Sequence, residues 1–135
     1  RKFSGVKRRL EFKGEHNGIK IYDDFAHHPT AIRYTSDAVR KNFQSKKILG
    51  IVELGSNTMS AGYHGDSINE SVKAFDDVVW LDQKKVIDDA NSYDTLDKCL
   101  NGIKAIIRDY DVVILMTNKD SQSISQPIIN FLNEK

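Results

Sequence analysis

Apolar runs and amphipathic stretches alternate along this chain. Residues 48–54 (ILGIVEL), 77–82 (DVVWLD) and 111–117 (DVVILMT) are almost continuously apolar. Strands covered on both faces read this way, because neither side of the pleat meets water. Between them, apolar residues recur at helical spacing. Pro29 suits the first position of a helix, and Ile32, Thr35, Val39 and Phe43 carry its stripe through residue 43. Ile68, Val72 and Phe75 predict a short helix over 65–75, and Leu96, Leu100, Ile103 and Ile107 a longer one over 93–108. A last helix is expected around 127–133, beginning at Pro127. The segment 83–92 is polar and predicts no element. Ahead of all these, residues 7–13 (KRRLEFK) and 19–23 (IKIYD) read as two strands, with Gly14 to Gly18 as the turn of a hairpin.

Strands alternating with helices imply βαβ crossovers. The expected fold is therefore α/β: a Rossmann-like three-layer domain with a mostly parallel sheet of about six strands, a leading antiparallel hairpin, and helices on both faces. A length of 135 residues suits one domain with one core, so 1–135 is read as a single unit.

Composition narrows the function classes. A net charge of +1 argues against a general nucleic-acid binder. The basic residues are concentrated at one end: Arg1, Lys2, Lys7, Arg8, Arg9 and Lys13 stand against Glu11 alone in the first thirteen positions. Such an end is either a solvated edge or a phosphate site supplied by one or two arginines. No apolar run approaches the ~20 residues that cross a bilayer, and no signal peptide is visible, so no membrane partner is expected. Cys99 is the single cysteine and lies beside Leu100 in a helical stripe, which reads as a core thiol and excludes an intrachain disulfide. A cytoplasmic location fits.

The chemistry-bearing stretch is Asp23-Asp24-Phe25-Ala26-His27-His28-Pro29, where the strand at 19–23 meets the helix starting at Pro29. In open α/β sheets ligands bind at the carboxyl ends of strands, beside helix N-termini that favour anions. The loops 23–29, 53–62 and 117–123 are all expected on that edge. Asp24 is a candidate acceptor for sugar hydroxyls or a metal ligand; Asp23, Asp24 or His28 is equally a candidate helix cap. His27 and His28 are adjacent and point apart, a poor chelating pair, so no metal site is assigned. Ser56, Asn57 and Thr58 offer hydroxyls and an amide to a peptide or carboxylate, although a plain connecting loop is polar too. Neither G-x-G-x-x-G nor G-x-x-x-x-G-K-[ST] occurs, and no nucleophile elbow is present. By itself such a domain lacks the equipment to split a nucleoside triphosphate, and no catalytic residue is assigned within it. It lends residues to a site completed elsewhere.

Two motifs resemble the C-terminal domain of the Mur ligases, the ATP-dependent amide ligases of bacterial cell-wall assembly. One is Gly5-Val6-Lys7-Arg8-Arg9-Leu10-Glu11, similar to that family's G-x-x-x-R-x-E; the other is the run from Asp23 to Pro29. Glu53-Leu54-Gly55-Ser56-Asn57-Thr58-Met59 and Gly62-Tyr63-His64 resemble the branch that recycles murein peptides. The resemblance implies ATP and Mg2+ as cofactors. It implies UDP-N-acetylmuramate and the tripeptide L-Ala-γ-D-Glu-meso-diaminopimelate as substrates, joined through an acyl phosphate. It places Arg9 near the terminal phosphate, Asp24 at the ribose hydroxyls and His27 near the nucleotide. Phe25, Ser56, Asn57 and Thr58 fall where the incoming amine is recognised. A Walker-type loop, the metal ligands and a UDP-sugar site are expected on further domains of the same chain, leaving this piece inactive alone. Two departures stand out: Leu54-Gly55 replaces the Pro-Arg of many relatives, and Asn118 to Ser123 is not glycine-rich.

Two rivals frame the test. A receiver-like signalling domain also carries paired acids after a strand (Asp23, Asp24), a further Asp82, and a lysine after its last strand (Lys119), but not a preceding hairpin. A non-catalytic binding domain with a degenerate site would explain the two departures.

Overall fold

The computed structural model describes residues 10–26, 28–54, 65–83, 90–117 and 121–134. Among these, six strands form one sheet: β1 (Glu11–His16), β2 (Ile19–Asp24), β3 (Ile48–Leu54), β4 (Asp77–Asp82), β5 (Ser92–Tyr93) and β6 (Val112–Met116). Their order is β1-β2-β6-β3-β4-β5, with β1 antiparallel to β2 and the other pairings parallel. The helices are α1 (Pro29–Asn42), α2 (Gly65–Ser71), α3 (Leu96–Ile106) and α4 (Gln122–Leu132). The expected α/β architecture, with its leading hairpin, is what the chain adopts.

Successive strand residues point to opposite faces, so each continuous apolar run feeds two cores. On one face Ile48, Val52, Trp80, Ile114 and Met116 pack against Ile32 and Val39 of α1, Ile68 of α2, and Val72 and Phe75. On the other, Ile21, Leu49, Ile51, Val79 and Leu115 pack against Cys99 and Ile103 of α3 and Ile124, Ile128 and Leu132 of α4. Gly50 lets one helix layer lie close: a Cβ there would meet Phe75 Cδ2 at 2.5 Å. Each large side chain fully withdrawn from water contributes about 1.5–3 kcal/mol, so the apolar pattern sets the layer order.

Five boundaries depart from expectation. Among the described residues the first strand begins at Glu11 and runs through Gly14 to His16, whereas residues 7–9 of the expected strand lie outside the described residues. The turn is the dipeptide Asn17-Gly18, both at positive φ (56° and 83°), the geometry of a two-residue hairpin loop. Gly14 (φ 105°) lies at the irregularity between Phe12 and Glu15, where the register shifts. Segment 83–92 ends in a strand: Ser92 and Tyr93 pair with Trp80 and Leu81. That pairing is backbone chemistry, which a polar sequence does not advertise.

The 65–75 helix stops at Ser71, with Phe75 buried beyond its end. The last helix begins at Gln122, not Pro127, which sits inside it. Burial of Ile124, Ile128 and Leu132 on one stripe outweighs the helical N–H bond that proline forgoes. The 93–108 helix starts at Leu96 because Thr95 caps it, its hydroxyl accepting from Lys98 N–H at 3.2 Å.

Candidate functional site

β2, β6 and β3 are neighbours, so the carboxyl ends of three strands form one edge. In register, Asp24 lies opposite Met116, and Met116 opposite Val52. Phe25, Thr117 and Glu53 follow, and Asp82 closes β4 beside Leu54. The strand ends from which the three expected loops depart therefore share one edge, while residues 27, 55–62 and 118–120 lie outside the described residues.

Asp24 is 2% exposed and accepts three hydrogen bonds from its own chain. Its Oδ1 accepts from Ala26 N–H at 2.8 Å, a local turn that its short side chain is built to close. Its Oδ2 accepts from the Leu10 N–H at 3.1 Å and from the Thr35 hydroxyl at 3.2 Å. It therefore does not cap α1. His28 occupies the cap position, and it too makes no side-chain cap bond. Pro29 needs no such partner, since it has no N–H to satisfy.

Alternation sends Asp23 to the opposite face, where it is completely buried. There it accepts from the Ser121 hydroxyl at 2.6 Å, tying the start of α4 to β2. Thr117 joins the remaining ends. Its N–H donates to Asp24 O at 3.2 Å and its hydroxyl to Glu53 Oε1 at 2.5 Å. Glu53 in turn faces the α3 layer. Burial pushes the Cys99 thiol up to about 12, and the Glu53 charge pushes in the same direction. Cys99 is thus the inert core thiol expected, fully buried and free.

Of the residues singled out in sequence, Asp24 and Phe25 lie on this edge, Phe25 half-buried. Arg9, His27, Ser56, Asn57 and Thr58 lie outside the described residues. The residues sequence reasoning passed over are Leu10, Thr35, Glu53, Thr117 and Ser121. Two carried a signal: Glu53 is a charge inside an apolar run, and Thr35 a hydroxyl on an apolar helical stripe. Among the described residues no three His, Cys, Asp or Glu side chains converge as metal ligands, so they do not fit a resident Mg2+. None of the described helices is long and apolar enough to cross a membrane.

Comparison with known proteins bears on what this edge serves. Residues 8–119 match the family model described as Mur ligase, glutamate ligase domain. The chain is 38% identical, over 98% of its length, to the UDP-N-acetylmuramate–L-alanyl-γ-D-glutamyl-meso-2,6-diaminoheptandioate ligase of Haemophilus influenzae. It spans 32% of that relative's length. Among solved structures, it superposes on a murein peptide ligase from Psychrobacter arcticus with a TM-score of 0.83 and 32% identity, over 98% of this chain and 31% of that one. A domain of a similarly described ligase from Haemophilus ducreyi gives 0.76 and 30%, over 92% of this chain and 99% of that one. The receiver-like alternative is set aside by these matches. The chain belongs to the Mur ligase family and is its C-terminal domain.

Proposed function

We propose that this domain supplies one wall of the active site of an ATP-dependent ligase. The reaction joins UDP-N-acetylmuramate to L-Ala-γ-D-Glu-meso-diaminopimelate in peptidoglycan recycling, in the cytoplasm. The observation that carries this reading is the 38% identity to the Haemophilus influenzae ligase over 98% of the chain. The neighbouring ends of β2, β6 and β3 support it, because they bring the roots of the nucleotide-facing and amine-facing loops together.

A carboxylate resists attack by an amine because oxide is a poor leaving group. Transfer of the ATP γ-phosphoryl group to the lactyl carboxylate gives an acyl phosphate and ADP. The tripeptide α-amine then attacks the acyl carbon, the C–O bond breaks, inorganic phosphate departs and the amine loses a proton. Arg9 contributes positive charge at the terminal phosphate, where charge builds during transfer. Asp24 and His27 belong to the nucleotide side, and Phe25, Ser56, Asn57 and Thr58 to the amine side. Mg2+ would offset phosphate charge in such a transfer, held by ligands on the remaining domains of the chain. Holding amine and acyl phosphate within reach of each other supplies much of the acceleration.

The test uses the full-length protein with ATP, UDP-N-acetylmuramate and tripeptide. Amide and phosphate should form in equal amounts, the isolated 135 residues should form neither, and Arg9→Ala should lower turnover about a hundredfold. Unchanged turnover by Arg9→Ala would favour a binding domain with a degenerate site.

A further inference from the structure

At the amino ends of β2 and β6, the far side of the sheet from Asp24 and Thr117, lies a hollow of about 170 Å3. Phe43 and Val112 form its apolar lining, and Glu15, Lys20, Lys46 and Asp111 its charged rim. It is open at Gly18, where an added Cβ would meet nothing within 4 Å.

The rim is held in place through its backbone. Lys20 N–H donates to Asp111 O at 3.0 Å, and Asp111 Oδ2 accepts from Lys47 N–H at 2.8 Å. Arg40 Nη1 donates to the carbonyls of Phe43 and Lys46, at 3.1 and 2.9 Å, fixing the turn that carries both.

The charges on this rim do not neutralise one another. Glu15 and Lys20 are direct partners across the β1–β2 hairpin, a placement in which opposite charges attract. Yet among the described residues no ion pair joins them, nor either of them to Lys46 or Asp111. Lys20 Nζ lies over the Phe43 ring instead, 5.9 Å from its centre. Asp111 uses one acceptor position on the Lys47 amide, and a carboxylate has about four.

Two ammonium groups and two carboxylates thus face one small space beside an aromatic ring. A lone anion would meet Glu15 and Asp111, and a lone cation would meet both lysines. A solute carrying both charges suits all four. Size narrows the choice further: the hollow is smaller than the ~300 Å3 at which drug-sized pockets begin, too little for a nucleotide.

We propose that this hollow binds a free amino acid as its zwitterion. The carboxylate lies against Lys20 and Lys46, the ammonium against Glu15 and Asp111, and an apolar side chain along Phe43 and Val112. This occupant is distinct from the incoming amine of the ligase reading, which belongs at the carboxyl ends of the strands.

Equilibrium dialysis of the full-length protein with labelled L-leucine tests the site. Saturable binding of millimolar order is expected, since exposed ion pairs each gain little. Isocaproate, which lacks the ammonium, and isoamylamine, which lacks the carboxylate, should each compete about tenfold more weakly than leucine. Glu15→Gln and Lys46→Gln, both at exposed positions, should each weaken leucine binding about threefold, and Lys20→Gln combined with Lys46→Gln about tenfold. Isocaproate competing as well as leucine would overturn the zwitterion in favour of an anion patch. Wild-type affinity in the double variant, or no saturable binding by wild type, would overturn the site. Binding is read without turnover, so its failure is separate from a failure to make amide.

Discussion

The amino and carboxyl ends of the parallel strands handle charge in different ways. At the amino ends, Asp76 receives Arg40 Nη2 and Ile48 N–H, each at 2.7 Å, with its side chain 38% exposed. Arg40 also donates to the carbonyls of Ala74, Phe43, Gln44 and Lys46, closing the turn that leads into β3. Asp111 receives Lys47 N–H at 2.8 Å, and Tyr110 bonds Asp77. Burial and then that bond raise the Tyr110 hydroxyl above its ordinary value. These are acids matched by a guanidinium, backbone amides and a phenol close to water. At the carboxyl ends, Asp23, Asp24 and Asp82 are at most 2% exposed, and the donors described for them are hydroxyls and backbone amides. A guanidinium that satisfies five acceptors holds a turn shut. Buried acids bound to neutral hydroxyls and amides instead fix the exact direction in which loops leave the sheet. The first arrangement serves stability, and the second lies at the edge to which the proposed function assigns the site.

Substitutions can break that contrast. The largest effect is expected from Arg40→Ala, which strands four carbonyls and Asp76 and should cost about 2–4 kcal/mol in urea denaturation. Full-length enzyme carrying it, assayed below its new midpoint, should keep its KM for ATP; a shifted KM at unchanged stability would erase the distinction between the two edges. Thr117→Val and Glu53→Ala should each cost about 1 kcal/mol, less than their sum when combined, and both should raise the KM for the tripeptide. Glu53→Gln keeps an oxygen for the Thr117 hydroxyl and should stay near wild type.

Smaller effects follow from titration. Burial alone would raise Asp76, but the Ile48 amide, Arg40 and Lys47 hold it below its ordinary 3.8. The stability it adds is complete above that value and fades as pH falls through the lower folded value. The gap between wild type and Asp76→Asn should therefore narrow below 3.8. Exposure keeps that gap under about 1 kcal/mol. Cys99 gives the smallest signal. Its thiol titrates at 9.0 when unfolded and near 12 when folded. Stability should thus decline from pH 9.0 upward; Cys99→Val removes the Cys99 part of that slope, leaving the part Tyr110 adds above its ordinary 10.0, and folded protein at neutral pH should resist alkylation.

How far the fold could be read without coordinates depends on what each element rests on. β3, β4 and β6 were legible because burial on both faces demands unbroken apolar runs, and α1 because Pro29 and a four-residue stripe agree. β5 was not: two polar residues join the sheet through backbone pairing with Trp80 and Leu81. Pro127 misled because a buried stripe overrides one lost helical bond.

Sequence by itself determined the layer order and the family, and singled out residues 23–29 as the candidate ligand stretch, since hydrophobic period and motif are properties of neighbours along the chain. Tertiary structure alone decided what Asp24 touches. Two of its three partners stand fourteen residues before it and eleven after it, and hydrogen bonds across such separations exist only once the sheet and α1 have brought their donors to one carboxylate.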